Sequence, residues 1–385
     1  MIPSLRRKFN EEFSEEKYQR FLSLLEERTG LSPQFRVSET PFFIPRQLID
    51  RMALCGREIV EELLVNAEYM HASSRAIPPE FHVPNEPPAP LFIQADFGID
   101  QNGDPKLVEI QGFPSVYAYQ PVLADCYRDA YAIDLPFLLD DLTPAAYHKL
   151  LRQAIVGDRD PRNVVLMEID PLHQKTLADF TMTERICGIR TADISLIEKR
   201  GRKLYYEDIP IDRIYNRAIV DELQRRRIPL QFDFRDDLDV EWAGHPNWFF
   251  RLSKFSLPYM NHPAVPRTRF LDDVPTIDEP SAVVLKPLFS FAGLGVIVGP
   301  THEQIEAARG KDYVVQERVD FASVLETPYG PTKVEIRIMY LWPDKPGLDE
   351  LRAVNTIVRT GRGSQMGVDH NKGLKWVGAS AAFHL

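Results

Sequence analysis

Cysteine is scarce in this chain: Cys55, Cys126 and Cys187 are the three among 385 residues. An odd number at wide spacing gives neither a disulfide framework nor a structural zinc signature. Long apolar runs are also missing. No stretch approaches the ~18–20 apolar residues that a membrane span needs, and the opening MIPSLRRKFNEEF has no apolar core of the secretory type. A cytoplasmic protein without a membrane partner is therefore expected. Positive charge is in deficit, the formal net charge being −10. That argues against non-specific nucleic-acid binding, in which neutralisation of phosphates dominates affinity. It leaves room for a local basic pocket in an otherwise acidic, solubilising surface. Internal repeats and low-complexity tracts are absent as well.

What the chain does have is the balance of a folded, water-soluble protein, 44% hydrophobic and 26% charged. Its length exceeds one ordinary core and predicts two or three domains. The first part, 1–90, reads as helical. Tyr18, Phe21, Leu22 and Leu25 recur at helical spacing up to Gly30, and a second amphipathic run carries Leu48, Ile49, Met52, Ile59, Val60, Leu63 and Leu64. Prolines 78, 79, 84, 87, 88 and 90 then mark an extended connector, because proline fixes φ and removes a backbone donor.

Beyond the connector the period shortens. LFIQADF (91–97) and KLVEI (106–110) read as strands around the turn residues of IDQNGDP. This 91–150 segment is followed by a region, 151–275, with a compact β-branched run NVVLMEI (163–169) of the buried parallel type. The same region has a hairpin around Arg200-Gly201-Arg202, a strand RIYNRA (213–218) and a basic helix near Arg225–Arg227. The last part, 276–385, alternates strand and loop through AVVLKPL, GVIVG, DYVVQERV, KVEIRIMYLW and LRAVNTIVRT. The class predicted is α/β to α+β, not a sandwich or a bundle.

The sharpest chemical signal is Lys286-Pro-Leu-Phe-Ser-Phe-Ala-Gly293-Leu-Gly295-Val. A strand delivers a lysine, whose ammonium can hold a phosphate as a point charge. The two glycines let backbone N–H groups approach phosphate oxygens. The lysine precedes the glycines and no GK[ST] opens a helix, so this is neither a P-loop nor a dinucleotide-binding turn. Further on, Gln316-Glu317 ends a strand in the manner an adenine hinge requires, with a carboxylate for ribose hydroxyls. KVEIRIMYLW puts Glu335 and Arg337 on one strand face, and the following segment adds Asn355, Arg359, Arg362 and Asn371. Upstream, Glu109 and Gln111 share a strand face beside Asp96, three hard-oxygen donors of the kind Mg²⁺ takes.

Lysine, glycine loop, hinge and E-x-R strand in this order resemble the nucleotide half of an ATP-grasp fold. The chain is similar to the permuted branch of that superfamily containing glutathionylspermidine synthase and eukaryotic-type glutathione synthetase. The matching blocks are Gln94-Ala-Asp96-Phe followed by Glu109-Ile-Gln111 and, near but out of strict register, Ser115; and KPLFSFAGLGV. The resemblance implies Mg²⁺ on Asp96, Glu109 and Gln111, and ATP on Lys254, Lys286, Gly293, Gly295, Gln316 and Glu317. It implies catalytic roles for Arg337, Arg359 and Ser115. It also implies a pre-ATP-grasp substrate domain in 151–275, with Arg217 as a carboxylate-binding candidate, and a nucleotide subdomain in 276–385. The activity implied is ligation of a small-molecule carboxylate to an amine through an acyl phosphate. A small-molecule kinase and a non-catalytic ATP-binding protein are the alternatives. Two positions depart from the family: its arginine before the metal aspartate is Gln94 here, and the glutamate of its glycine-rich loop is Ala292. His370 reads as structural or solvent-facing.

Overall fold

A computed structural model describes residues 1–290, 293–342, 351–363, 366, 371 and 373–385, so Ala292 and His370 lie outside the described residues. The chain is a mixed α+β structure in which helices cover several separate sheets.

The largest sheet runs, in spatial order, Gly378–Ser380, Arg352–Gly361, Gly330–Leu341, Phe92–Ile99 and Pro105–Gln111, all neighbours antiparallel. Leu325–Thr327 also pairs with the long Gly330–Leu341 strand. Two strands from the first third of the chain thus complete a sheet whose other members come from its end. Strand periodicity sorts their side chains. Ile93, Ala95, Phe97 and Ile99 join Ile336, Ile338 and Tyr340 in one buried apolar layer. The intervening positions, Gln94, Asp96, Glu335 and Arg337, are buried too, although polar. A polar set on a strand covered on both faces must find its partners inside the protein, because an unpaired buried polar group costs on the order of 1–3 kcal/mol.

The apolar face is covered by the Arg46–Val65 helix through Ile49, Met52, Ile59, Val60 and Leu63. At Gly56 this helix comes so close to the sheet that an added Cβ would stand 2.1 Å from the Tyr340 hydroxyl. That hydroxyl already donates to the Ala53 carbonyl at 2.8 Å. Gly56→Ala is therefore expected to lower stability by ~1–3 kcal/mol through overpacking, despite alanine's better helix propensity. A lower urea midpoint with an unchanged slope would register it; equal or higher stability would refute the packing account.

The Glu15–Thr29 helix starts at Ser14, which accepts from the Lys17 N–H, and ends at Gly30 with φ of 77°. It packs on the Tyr119–Tyr131 helix, with the Phe21 and Tyr127 rings stacked at 4.1 Å.

A second antiparallel sheet has the order Thr268–Phe270, Tyr313–Glu317, Val283–Pro287, Ile297–Val298. A third is parallel: Glu241–Ala243, Arg213–Asn216, Val164–Glu168, Arg190–Asp193. The Val164–Glu168 strand is buried throughout, as its β-branched run predicts. The expected hairpin pairs Glu198–Arg200 with Lys203–Tyr206 around Gly201 at φ 66°. Phe42–Ile44 pairs in parallel with Ala382–His384, tying the helical first part to the last residues described.

Candidate functional site

Register places the site. Asp96 stands opposite Glu109 on one neighbouring strand and opposite Arg337 on the other, so three ionisable side chains form one rung. Directly opposed residues of an antiparallel pair have Cβ atoms only about 4.5–5.5 Å apart, so they must interact. Arg337 grips Asp96 with both prongs, Nε donating to Oδ1 at 2.5 Å and Nη2 to Oδ2 at 2.7 Å. Its Nη1 donates to Gln94 Oε1 at 2.8 Å, and its Nη2 lies 3.6 Å from Glu109 Oε1. Arg359 Nη2 adds a further bond to Asp96 Oδ2 and lies 2.7 Å from Glu335 Oε1. The register also opposes Arg359 to Glu335.

The second sheet contributes the lysine. Lys286 Nζ donates to the Val108 carbonyl at 2.8 Å and to Gln316 Oε1 at 2.6 Å, so it bridges the two sheets. Gln316 is held in turn by donating from Nε2 to Thr268 Oγ1 at 2.9 Å. Lys254, in the short helical segment Lys254–Tyr259, lies 3.1 Å from Glu109 Oε2 and donates to the Ser290 carbonyl at 2.8 Å. Gln94 is the hub of the amide groups. It accepts from Gln111 Nε2 at 2.6 Å and donates to the Ser115 carbonyl at 2.8 Å.

Asp96, Glu109, Gln111, Lys254, Arg337 and Arg359 are thus joined by hydrogen bonds and ion pairs through Gln94 and Glu335, Lys286 with Gln316 meets them at the Val108 carbonyl, and Ser115 touches the cluster through its carbonyl. Gly293 and Gly295, at φ 74° and 75°, belong to the loop after Pro287 whose Ser290 carbonyl receives Lys254. A Cβ at Gly295 would meet Pro287 Cγ at 2.8 Å, so glycine is required there sterically as well as by its φ. Glu317 stands apart, exposed at its strand end, with its N–H donating to the Arg267 carbonyl. Arg362 and Asn371 serve the backbone. Arg362 reaches Thr332 and the Lys375 carbonyl, and Asn371 Oδ1 accepts from the Arg362 and Gly363 N–H groups. Asn355 Oδ1 accepts from the Thr356 N–H.

Sequence reasoning named Glu335 without a role and read Gln94 only as a departure; both are members of the cluster. The E-x-R spacing, on a strand buried from Val334 to Leu341, was the signal for Glu335. Arg337 also reaches position 94. Its guanidinium, delivered from the adjacent strand, bonds the Gln94 side chain and so stands beside that position.

Burial and charge set the ionisation here. Burial pushes the Lys286 ammonium down to about 8, with the Glu109 carboxylate opposing that shift. For Glu109, burial works upward but is outweighed by Lys254, then Arg337 and Arg359, which hold the carboxyl well below the usual range. Glu335 is pushed up to about 7 by burial, against the pull of Arg359, with Asp96 and Glu109 adding repulsion. Between Glu109, Gln111, Phe113, Phe249, Lys254, Phe289 and Ser290 a cavity of about 20 Å³ remains. Ligand pockets run to several hundred Å³.

As arranged, these residues do not fit a magnesium ion shared by Asp96, Glu109 and Gln111. Magnesium demands oxygen donors at ~2.1 Å in near-octahedral array, yet both Asp96 oxygens already accept guanidinium N–H groups. Among the described residues, the group of three His, Cys, Asp or Glu whose ligand atoms all fall within 4.8 Å is Cys55, Glu58 and His262, which shares no member with this cluster.

Arg217 is likewise committed. Its Nη1 donates to Asp179 Oδ2 at 2.5 Å, and Asp179 Oδ1 accepts from the Ala118 and Tyr119 N–H groups. Both side chains are buried, so Arg217 is one half of an internal ion pair. Nearby Glu168, at the end of a parallel strand, is pushed up to about 8 by burial, against the pull of Arg217. A carboxyl whose folded pKa exceeds its unfolded value stabilises fully below the unfolded pKa, near 4.5, and loses that contribution as pH rises through 8. Glu168→Gln should then match wild type near pH 4 and be more stable by on the order of a few kcal/mol above pH 8. Denaturant midpoints across that range measure it, and a constant offset would contradict it.

No protein-family model matches the chain, and no curated protein matches it either. Among solved structures it is similar to a glutathione synthetase-like effector (GSS30) from Globodera pallida in the apo form. The TM-score is 0.58 at 10% identity, over 96% of this chain and 98% of that one. The likeness supports a glutathione synthetase-like fold over nearly the full length. No helix among the described residues is long and apolar enough to cross a membrane.

Proposed function

We propose that this chain is an ATP-dependent carboxylate–amine ligase with an ATP-grasp-type cleft. The observation that carries the reading is the gathering of Lys254, Lys286, Arg337 and Arg359 from four separate segments at the seam between two sheets. Burying cations together is costly unless an anion is bound or carboxylates compensate them. The segments that meet are those whose order resembles the nucleotide half of an ATP-grasp enzyme, and the likeness to a glutathione synthetase-like fold agrees with it.

In this reading Lys286, positioned by Gln316, and Lys254 hold the phosphates. Arg337 and Arg359 face the transferring phosphoryl group. A carboxylate oxygen of the acid attacks the γ-phosphorus and ADP leaves; the amine then attacks the acyl carbon and phosphate leaves. The protein's part is positioning and charge neutralisation at the equatorial oxygens, which dominates catalysis of phosphoryl transfer. Acid and amine partners are small molecules or peptides. The test is ADP release across panels of amino acids, short peptides and polyamines. A ligase requires one acid and one amine together. Free phosphorylated acid without an amine would make it a kinase. The clamp on Asp96 favours a second reading, nucleotide binding without turnover, for which ATP binds and no pair of co-substrates releases ADP.

A further inference from the structure

We infer that nucleotide phosphates bind this site without a divalent cation bridging them to Asp96 or Glu109, the guanidinium groups of Arg337 and Arg359 standing where such a cation would. The inference rests on the nucleotide-binding reading above. Its basis is the sheet register rather than a rotamer. Arg337 is the direct cross-strand partner of Asp96, as Glu109 is on the other side. Freeing Asp96 for a metal would therefore leave the buried Arg337 guanidinium without its carboxylate, since the register keeps the two residues opposed.

The partners agree. Both Asp96 oxygens accept from guanidinium groups, Oδ1 from Arg337 and Oδ2 from Arg337 and Arg359. Glu109 lies between Lys254 and Arg337. Four cations, Lys254, Lys286, Arg337 and Arg359, already face three carboxylates, Asp96, Glu109 and Glu335. A magnesium ion placed among them adds repulsion with four cations, whereas a phosphate anion finds N–H donors on those same four side chains. Arginine suits this task because its planar fork can hold a carboxylate and still present N–H groups to a second anion.

The test is calorimetric titration of ATP into the full chain, once in EDTA and once in excess magnesium chloride, for wild type and Glu109→Gln. The expected result is a dissociation constant that agrees within about threefold between the two conditions. Glu109→Gln should change both by the same factor. Binding weaker by tenfold or more in EDTA would overturn the inference and leave the nucleotide reading intact. So would a Glu109→Gln effect confined to the magnesium condition. No binding in either condition would overturn the nucleotide reading and this inference with it.

Discussion

Replacing Arg337 by alanine is expected to lower the unfolding free energy by ~3–5 kcal/mol, the cost of leaving one partner of a buried ion pair unmatched. Asp96, 1% exposed, would have only Arg359 to face it. Gln94 Oε1 would lose a donor, and the strand would lose a side chain packed across the sheet. Arg337→Lys should fall between, because an ammonium restores charge without the two-pronged contact to both oxygens. Urea unfolding of wild type and the two variants measures the series. Arg337→Ala within 1 kcal/mol of wild type would mean that the rung contributes little to the fold.

Lys286→Ala should weaken ATP binding ~10–100-fold, since a hydrogen bond to a charged group contributes about 1.5–3 kcal/mol and 1.4 kcal/mol is tenfold. The fold should survive, because the lysine sits at the seam rather than in either apolar layer, though Gln316 loses a donor. A pH signature accompanies the loss. Burial brings the ammonium down to about 8, so wild-type affinity should decline as pH rises through that value, while Lys286→Ala should lack that decline. Calorimetric titrations between pH 6.5 and 9 separate the outcomes. Equal affinity for both proteins would remove Lys286 from the phosphate site.

Much of this site is legible in the sequence because its parts are local. Asp96 and Glu109 are joined by one tight turn, so strand alternation and IDQNGDP suffice to put their carboxylates on adjacent strands. The strand–lysine–glycine order around Lys286 is contiguous as well. What could not be read is the pairing of strands far apart in the chain. Nothing in KVEIRIMYLW says that it lies between Phe92–Ile99 and Arg352–Gly361, because a ladder between distant segments leaves no periodic mark in either. The clamp of two arginines on Asp96 follows from that pairing alone and leaves no mark in the sequence. Arg217 failed to announce its partner for the same reason: Asp179 lies in a helix of different sequence neighbourhood. The short pairing of Phe42–Ile44 with Ala382–His384 had too few residues to show any alternation.

The central claim, that this cluster activates a carboxylate with ATP, is tested most directly by trapping the intermediate. Protein, ATP and magnesium chloride are incubated with a panel of acids and no amine substrate, then treated with hydroxylamine. The account predicts a hydroxamate of one acid class, formed with stoichiometric ADP and lost in Lys286→Ala. ADP formation with a phosphorylated acid that leaves the protein and gives no hydroxamate, or no hydroxamate from any acid while ATP binds normally, would contradict it.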